Sequence, residues 1–224
     1  NTDPTCGGKS PCYTKIQAAV NATLPGDTIQ IQAGTYAEKV SIKGKNNFSG
    51  ASESDRIVIE ADSSLSLGSV VISGNGEPCS KDIAIKLEKS RFITLQGLTI
   101  SGAGQAIVLK GGNNQNQAIH IERNRIFGNG SSKCDGGITV GAGNPETLVV
   151  NNLIYGNGRN GIAFTGSKGG PHYVVNNTIH ANGRNGVSAT SGQQVLLINN
   201  VITLNGSEKG KGAGRFGVTR SGSS

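Results

Sequence analysis

Three arginines recur in one local setting: Arg159-Asn-Gly-Ile162, Arg184-Asn-Gly-Val187 and Arg215-Phe-Gly-Val218. A fourth copy, Asp135-Gly-Gly-Ile138, carries a carboxylate where the others carry a guanidinium. Stacked one above another, these segments put three arginines in a single file with Asp135 one step below. Like charges ~5 Å apart repel by up to a few kcal/mol at an effective dielectric near 20, and by less when solvated. An anion lying along the file relieves that repulsion, and guanidinium groups suit carboxylate or sulfate in bidentate fashion. The competing reading is a set of solvated turn arginines copied along with a repeat. Tyr155 and His180 each stand four residues before an Arg of the file. Beside Arg, such a pair is chemically suited to removing the proton α to a uronate carboxylate: Arg neutralises the carboxylate, and His or Tyr serves as base or acid. The plainer reading is two surface residues in a column that also holds Phe127 and Thr203. Lys110 is a further substrate-binding candidate. It projects outward near Glu88, as Lys86 does, and both lysines read equally well as solvated charges. His120 and His172 have no partner visible in the sequence.

The elements that must position these residues are repeats. Leu148-Val-Val-Asn-Asn152-Leu-Ile154-Tyr-Gly-Asn-Gly is followed by Tyr173-Val-Val-Asn-Asn177-Thr-Ile179-His-Ala-Asn-Gly and by Leu196-Leu-Ile-Asn-Asn200-Val-Ile202-Thr-Leu-Asn-Gly. A degenerate copy precedes them at Ile119-His-Ile-Glu-Arg-Asn124-Arg-Ile126-Phe-Gly-Asn-Gly. The recurrent Asn124, Asn152, Asn177 and Asn200 are spaced by 28, 25 and 23 residues. A period of that size with three short strands per repeat implies a solenoid. Period-two alternation sends Ile162, Phe164, Val187, Ala189, Ile138, Val140, Ile107 and Leu109 inward. Earlier rungs are expected around Thr28–Ile31, Val40–Ile42, Arg56–Ile59, Val70–Ile72, Ile83–Ile85 and Phe92–Leu95. The repeated Asn read as an inward ladder bonding the backbone of neighbouring rungs rather than as catalytic groups. Gly-Asn-Gly reads as a source of turn conformations with positive φ. A solenoid exposes its core at the ends. Residues 13–24 place Ile16, Ala19, Val20 and Leu24 on one helical face before Pro25-Gly26, and so form an N-terminal cap. The expected organisation is therefore 1–27 as N-terminal segment and cap helix, and 28–224 as solenoid. No second cap is apparent, so the last rung is expected to be covered by further chain, by its own tail or by an oligomer.

Composition narrows the field. Of 224 residues, 35 are Gly and 22 Asn, with 4% aromatic, 16% charged and no Met or Trp. So much Gly and Asn excludes a helical bundle, because Gly in a helix interior costs ~0.5–1 kcal/mol. No apolar run approaches the ~20 residues of a membrane span. Four cysteines and a start at Asn1 suggest a processed, secreted chain, with Cys6 and Cys12 as one disulfide and Cys79 and Cys134 as a second candidate pair. Sequons at Asn21, Asn47, Asn129, Asn176 and Asn205 matter only in a eukaryotic secretory host. The net charge of +7 favours polyanions, yet dispersed basic residues and few aromatics argue against nucleic acid, and no amphipathic helix suggests membrane insertion. No zinc spacing, clustered acids for calcium, nucleophile elbow or phosphate loop is present. No cofactor is evident, and only single scattered acids stand where a hydrolase needs a pair ~6.5–9.5 Å apart.

The opening Ile16-Gln-Ala-Ala-Val20, Pro25-Gly-Asp-Thr-Ile29 and Ala33-Gly-Thr-Tyr36 resembles the N-terminal segment of secreted right-handed parallel β-helix proteins of the pectate-lyase-like kind. Ser49-Gly-Ala-Ser through Arg56-Ile-Val-Ile-Glu-Ala61 is similar to alginate-lyase and chondroitinase-B-like polysaccharide lyases. The resemblance spans roughly residues 12–220 and implies an all-β parallel β-helix. Members include lyases, hydrolases, epimerases and non-catalytic surface modules, and some use calcium, so fold alone leaves function open. Two expectations follow: a secreted protein acting on an acidic polysaccharide, with β-elimination as the reaction, or a non-catalytic glycan-binding or surface module of a larger protein.

Overall fold

The structure, a computed structural model, describes residues 5–75, 81–131, 134–206 and 217–221. It is an all-β parallel β-helix. The chain visits three parallel sheets in turn. Sheet A comprises Thr28–Ile31, Ile57–Ala61, Arg91–Gln96, Gln117–Glu122, Thr147–Val150, Gly169–Val175 and Gln193–Ile198. Sheet B comprises Gly34–Tyr36, Val70–Ser73, Thr99–Ser101, Arg125–Phe127, Leu153–Tyr155, Thr178–His180 and Val201–Thr203. Sheet C comprises Val40–Lys43, Ile83–Glu88, Gln105–Leu109, Ile138–Val140, Ile162–Phe164, Val187–Thr190 and Val218–Ser221. Every rung expected in the less regular first half is present.

Alternation fills the lumen. Ile29, Ile59, Leu95, Ile121, Val149, Val174 and Leu197 form one file along sheet A, and Ile72, Ile100, Ile126, Ile154, Ile179 and Ile202 another along sheet B. Most are fully buried. Like residues meet like residues at the rung spacing of ~4.8 Å, so each rung buries its core only against its neighbours.

The corners carry the polar accounting. Between sheets A and B, Asn124, Asn152, Asn177 and Asn200 form the expected ladder: the Oδ1 of Asn152, Asn177 and Asn200 each accepts from the backbone N–H and the Nδ2 of the Asn one rung before it, and that of Asn124 accepts from the Leu98 N–H. Between sheets B and C a second ladder, Asn129–Asn157–Asn182–Asn205, does the same. This corrects part of the reading of Gly-Asn-Gly. Gly156 takes the left-handed turn at φ 60, whereas Asn157 is buried and bonded inward.

Helix α1, Ile16–Ala22, packs Ile16, Ala19 and Val20 onto the first rung. The Glu38 carboxylate accepts from the Ile16 and Gln17 N–H groups, both at 3.1 Å, and stabilises the helix N-terminus. The helix is shorter than expected. Leu24 lies beyond it and is 67% exposed, because Thr23 is already extended and Pro25-Gly26 turns the chain away. Cys6 and Cys12 form a disulfide. Cys134 is also disulfide-bonded, whereas Cys79 lies outside the described residues.

Candidate functional site

Two outward columns of sheet B carry the aromatic part of the site. Ile126 and Ile154 point inward, so Arg125, Phe127, Leu153 and Tyr155 point outward. Strand register aligns Ser101, Phe127, Tyr155, His180 and Thr203 in one column and Arg125, Leu153, Thr178 and Val201 in the next. The Phe127 and Tyr155 rings stack at 5.0 Å with an interplanar angle of 5°. Arg125 covers them, its guanidinium carbon 4.7 Å from the Phe127 centroid and 5.7 Å from that of Tyr155. Its Nε and Nη2 donate to the Tyr155 phenol oxygen at 3.0 and 2.6 Å. One face of the Tyr155 ring is therefore taken by Phe127, and the phenol oxygen accepts from Arg125, which leaves its O–H as a donor. His180 occupies the next place in the column.

The arginine file lies in the turn that follows. The pairing of Ile138, Ile162 and Val187 sets Asp135, Arg159 and Arg184 at one level on successive rungs, and the Arg184 N–H donates to the Arg159 carbonyl at 2.7 Å. Arg215 lies outside the described residues. Asp135 is partly committed: its Oδ1 accepts from Asn160 Nδ2 at 2.7 Å and lies 3.9 Å from Arg159 Nε. Asn185 continues the line by donating to Asn160 Oδ1 at 2.8 Å. Packing explains the flanking glycines. A Cβ at Gly183 would sit 2.1 Å from the Gly158 carbonyl, and one at Gly137 would sit 1.9 Å from the Gly161 carbonyl. No comparable constraint acts on the arginines, whose side chains are partly exposed. The backbone dictates Gly and Asn at this corner, but not Arg.

Lys110 is not brought to this file. It directly follows the sheet C strand Gln105–Leu109, whereas the arginines precede theirs, a difference of six residues or roughly 20 Å along the strand direction. Lys86 pairs with Glu88 at 3.2 Å. His172 is a core residue: it stacks on Phe164 at 4.6 Å, bonds Gln193 Oε1 through Nε2 at 3.1 Å, and burial pushes its pKa down.

Two groups escaped the sequence reading. Arg125 was legible in principle, because alternation pairs it outward with Phe127 on the same strand. The other group was not legible. On the outer face of sheet A, Arg56 donates to Glu53 through Nε and Nη2, both at 2.7 Å, to Thr94 Oγ1 at 3.3 Å and to the Ala118 carbonyl at 3.1 Å. Its Nη2 also lies 3.4 Å from His120 Nε2, and His120 Nδ1 faces Glu122 at 3.5 Å. Burial, aided by the Arg56 charge, lowers the His120 pKa against the opposing pull of Glu122 and Glu53. Arg56 and His120 are 64 residues apart, and only the rung register unites them.

Residues 110–212, just under half of the chain, match the family described as periplasmic copper-binding protein (NosD). Among solved structures, the chain is similar to pectate lyase Pel9A, with a TM-score of 0.50 and 15% identity over 97% of this chain and 73% of that one. It is also similar to the PL6-family alginate lyase AlyGC, with a TM-score of 0.34 and 13% identity over 91% of this chain and 38% of that one. No curated protein sequence matches the chain. At these identities the likeness to the solved structures is one of fold. No helix among the described residues is long and apolar enough to cross a membrane.

Proposed function

We propose that the protein binds an acidic, uronate-containing polysaccharide along the Arg159–Arg184 file and the adjoining column of Tyr155 and His180. The observation that carries this reading is the stacking of Arg159 and Arg184 at one level on adjacent rungs, with Asp135 set against them one rung below. Backbone packing requires the glycines around them but not the guanidinium groups, and an extended polyanion can meet one per rung. The chain-wide charge of +7 attracts such a ligand from a distance. Disulfides persist in oxidising compartments, which supports a place outside the reducing cytosol, periplasmic or extracellular. Changing Arg159 and Arg184 together to Ala should weaken polyuronate binding at low salt by roughly 1.5–3 kcal/mol for each charge-assisted hydrogen bond removed. The effect should shrink at high salt as the charges are screened. Unchanged binding of every polyanion tested would leave the arginines as repeat-derived decoration.

A second reading is favoured by the register of Tyr155 with His180. In a β-elimination, an arginine of the file neutralises the uronate carboxylate, His180 removes the α proton, and the Tyr155 O–H protonates the departing oxygen while Arg125 holds its phenol. New unsaturated uronate ends on pectate, alginate or glycosaminoglycans, abolished in His180→Ala with binding retained, would establish it. The family name would suggest copper, but the residues do not fit that ion. His120, His172 and His180 lie on the outside of sheet A, in the lumen and on the outside of sheet B, and there is no Met. Among the described residues no group of three His, Cys, Asp or Glu converges.

A further inference from the structure

A cleft of about 390 Å³ opens on the outer face of sheet A, far from the arginine file in character as well as place. Its polar wall is Glu53, Glu146 and Gln117, its apolar wall Phe92, Leu148 and Tyr173, with the His120 ring on its surface. No cation lines it among the described residues. Arg56 lies beneath, with a side chain only 13% exposed, and its N–H groups are spent on Glu53, Thr94, the Ala118 carbonyl and His120. Arg56 is thus a strut that holds the floor, neutralised by Glu53, and offers nothing to a ligand. Glu146 is exposed and accepts from Gln117 Nε2 at 3.0 Å, which fixes the carboxylate at the rim. Tyr173 stands beside Leu148 in strand register and is 38% exposed.

The backbone turns sharply at the edge of the cleft. Phe92, Ala118 and Glu146, on three successive rungs, have φ of 50°, 51° and 55°. The same left-handed turn recurs at Arg123, Asn151, Asn176 and Asn199 at the other end of the sheet A strands, so it is a feature of the solenoid corners. The bend at Phe92, Ala118 and Glu146 brings Phe92 and Glu146 to the cleft.

With Glu53 taken up by Arg56, the exposed Glu146 carboxylate, the Gln117 amide and the aromatic wall repel a uronate and suit the opposite ligand: a ring with an apolar face, hydroxyls to donate and a positive charge. A volume of this size falls in the usual range of small-ligand clefts, ~300–1,000 Å³. We propose that the sheet A cleft binds an amino sugar, its protonated amine at Glu146 and its ring against Tyr173. The proposal does not rest on the polyanion reading of sheet B.

Calorimetric titration of the whole chain with a glucosamine trisaccharide, its fully N-acetylated counterpart and a short lysine peptide tests the idea. The amino trisaccharide should bind. The N-acetylated form should bind at least about ten-fold more weakly, and both Glu146→Gln and Tyr173→Ala should weaken the amino form by about ten-fold or more. Both residues are exposed, so the variants should keep the parent's melting temperature, and Arg159→Ala/Arg184→Ala should bind the amino sugar as the parent does. Equal affinity for the N-acetylated form, tighter binding of the lysine peptide, or unaltered binding by Glu146→Gln would each overturn the assignment. Uronate binding that persists in Glu146→Gln would show that such a failure touches this cleft alone.

Discussion

Replacing Asn177 with Ala removes one complete step of the ladder between sheets A and B. Its Oδ1 accepts from the backbone N–H and Nδ2 of Asn152 at 2.9 and 3.0 Å. Its Nδ2 donates to the Val149 carbonyl at 2.8 Å, the Val175 carbonyl at 3.0 Å and Asn200 Oδ1 at 3.0 Å. Asn152 Nδ2 keeps its bonds to Ile121 and Val150, and Asn200 Oδ1 still accepts from the residue 177 N–H, so the main orphan is the buried Asn152 N–H. A made hydrogen bond is worth ~0.5–1.5 kcal/mol net and a stranded buried group costs ~1–3 kcal/mol, which together give a destabilisation of about 3–5 kcal/mol. Against a total stability of ~5–15 kcal/mol that is a large fraction. The control is its neighbour. Asn176 is exposed with φ 54, so Asn176→Gly should change stability by no more than about 0.5 kcal/mol, because glycine enters that region freely. Urea unfolding followed by circular dichroism reads both variants as shifts of midpoint. Rungs touch only their neighbours, so amide exchange in Asn177→Ala should rise first at residues 149–152 and 175–177. An Asn177→Ala protein within 1 kcal/mol of the parent, or an Asn176→Gly protein equally damaged, would refute the ladder argument.

Arg125→Ala should release the Tyr155 phenol while its ring stays stacked on Phe127, seen as a changed phenol-carbon chemical shift with the ring-current shifts kept, at a stability cost of only about 1–2 kcal/mol because the cluster is on the surface. Burial depresses the His172 pKa; its contribution to stability is complete above the unfolded value near 6.5 and is lost as pH falls toward the folded one. Midpoints measured from pH 7 to 5.5 should therefore drop, and His172→Gln should flatten that slope. Removing the Cys6–Cys12 bridge, a loop of sequence separation 6, in a Cys6→Ser/Cys12→Ser variant should lower stability by no more than about 2–3 kcal/mol and act first on the segment leading into helix α1; a global collapse would contradict the placement of that bridge outside the core.

The fold was legible because the repeat writes itself twice, as apolar alternation and as Asn at fixed places. Ile154 and Ile179 could be set inward, and Tyr155 and His180 outward, from period two alone. The second ladder was missed because Asn157 and Asn182 sit between small turn residues and glycine, where Asn usually serves as a turn residue itself. Leu24 was misassigned because the helical period continues on paper for two residues after the backbone has turned extended. The Arg56–His120 network was hidden for a geometric reason: Arg56 and His120 belong to strands two rungs apart, and insertions of different length between rungs erase their spacing. Lys110 lies apart from the arginines, and distance along a strand, unlike register across strands, leaves no mark in a repeat alignment.

The central claim is that a polyanion lies along the file of Arg159 and Arg184. Hydrogen exchange of the protein with and without a saturating uronate oligomer at low salt tests it most directly. Protection should appear at 156–161 and 181–186, with weaker effects at 125–127, and should vanish in the double arginine variant. Saturable binding with protection confined to other corners of the solenoid would contradict it.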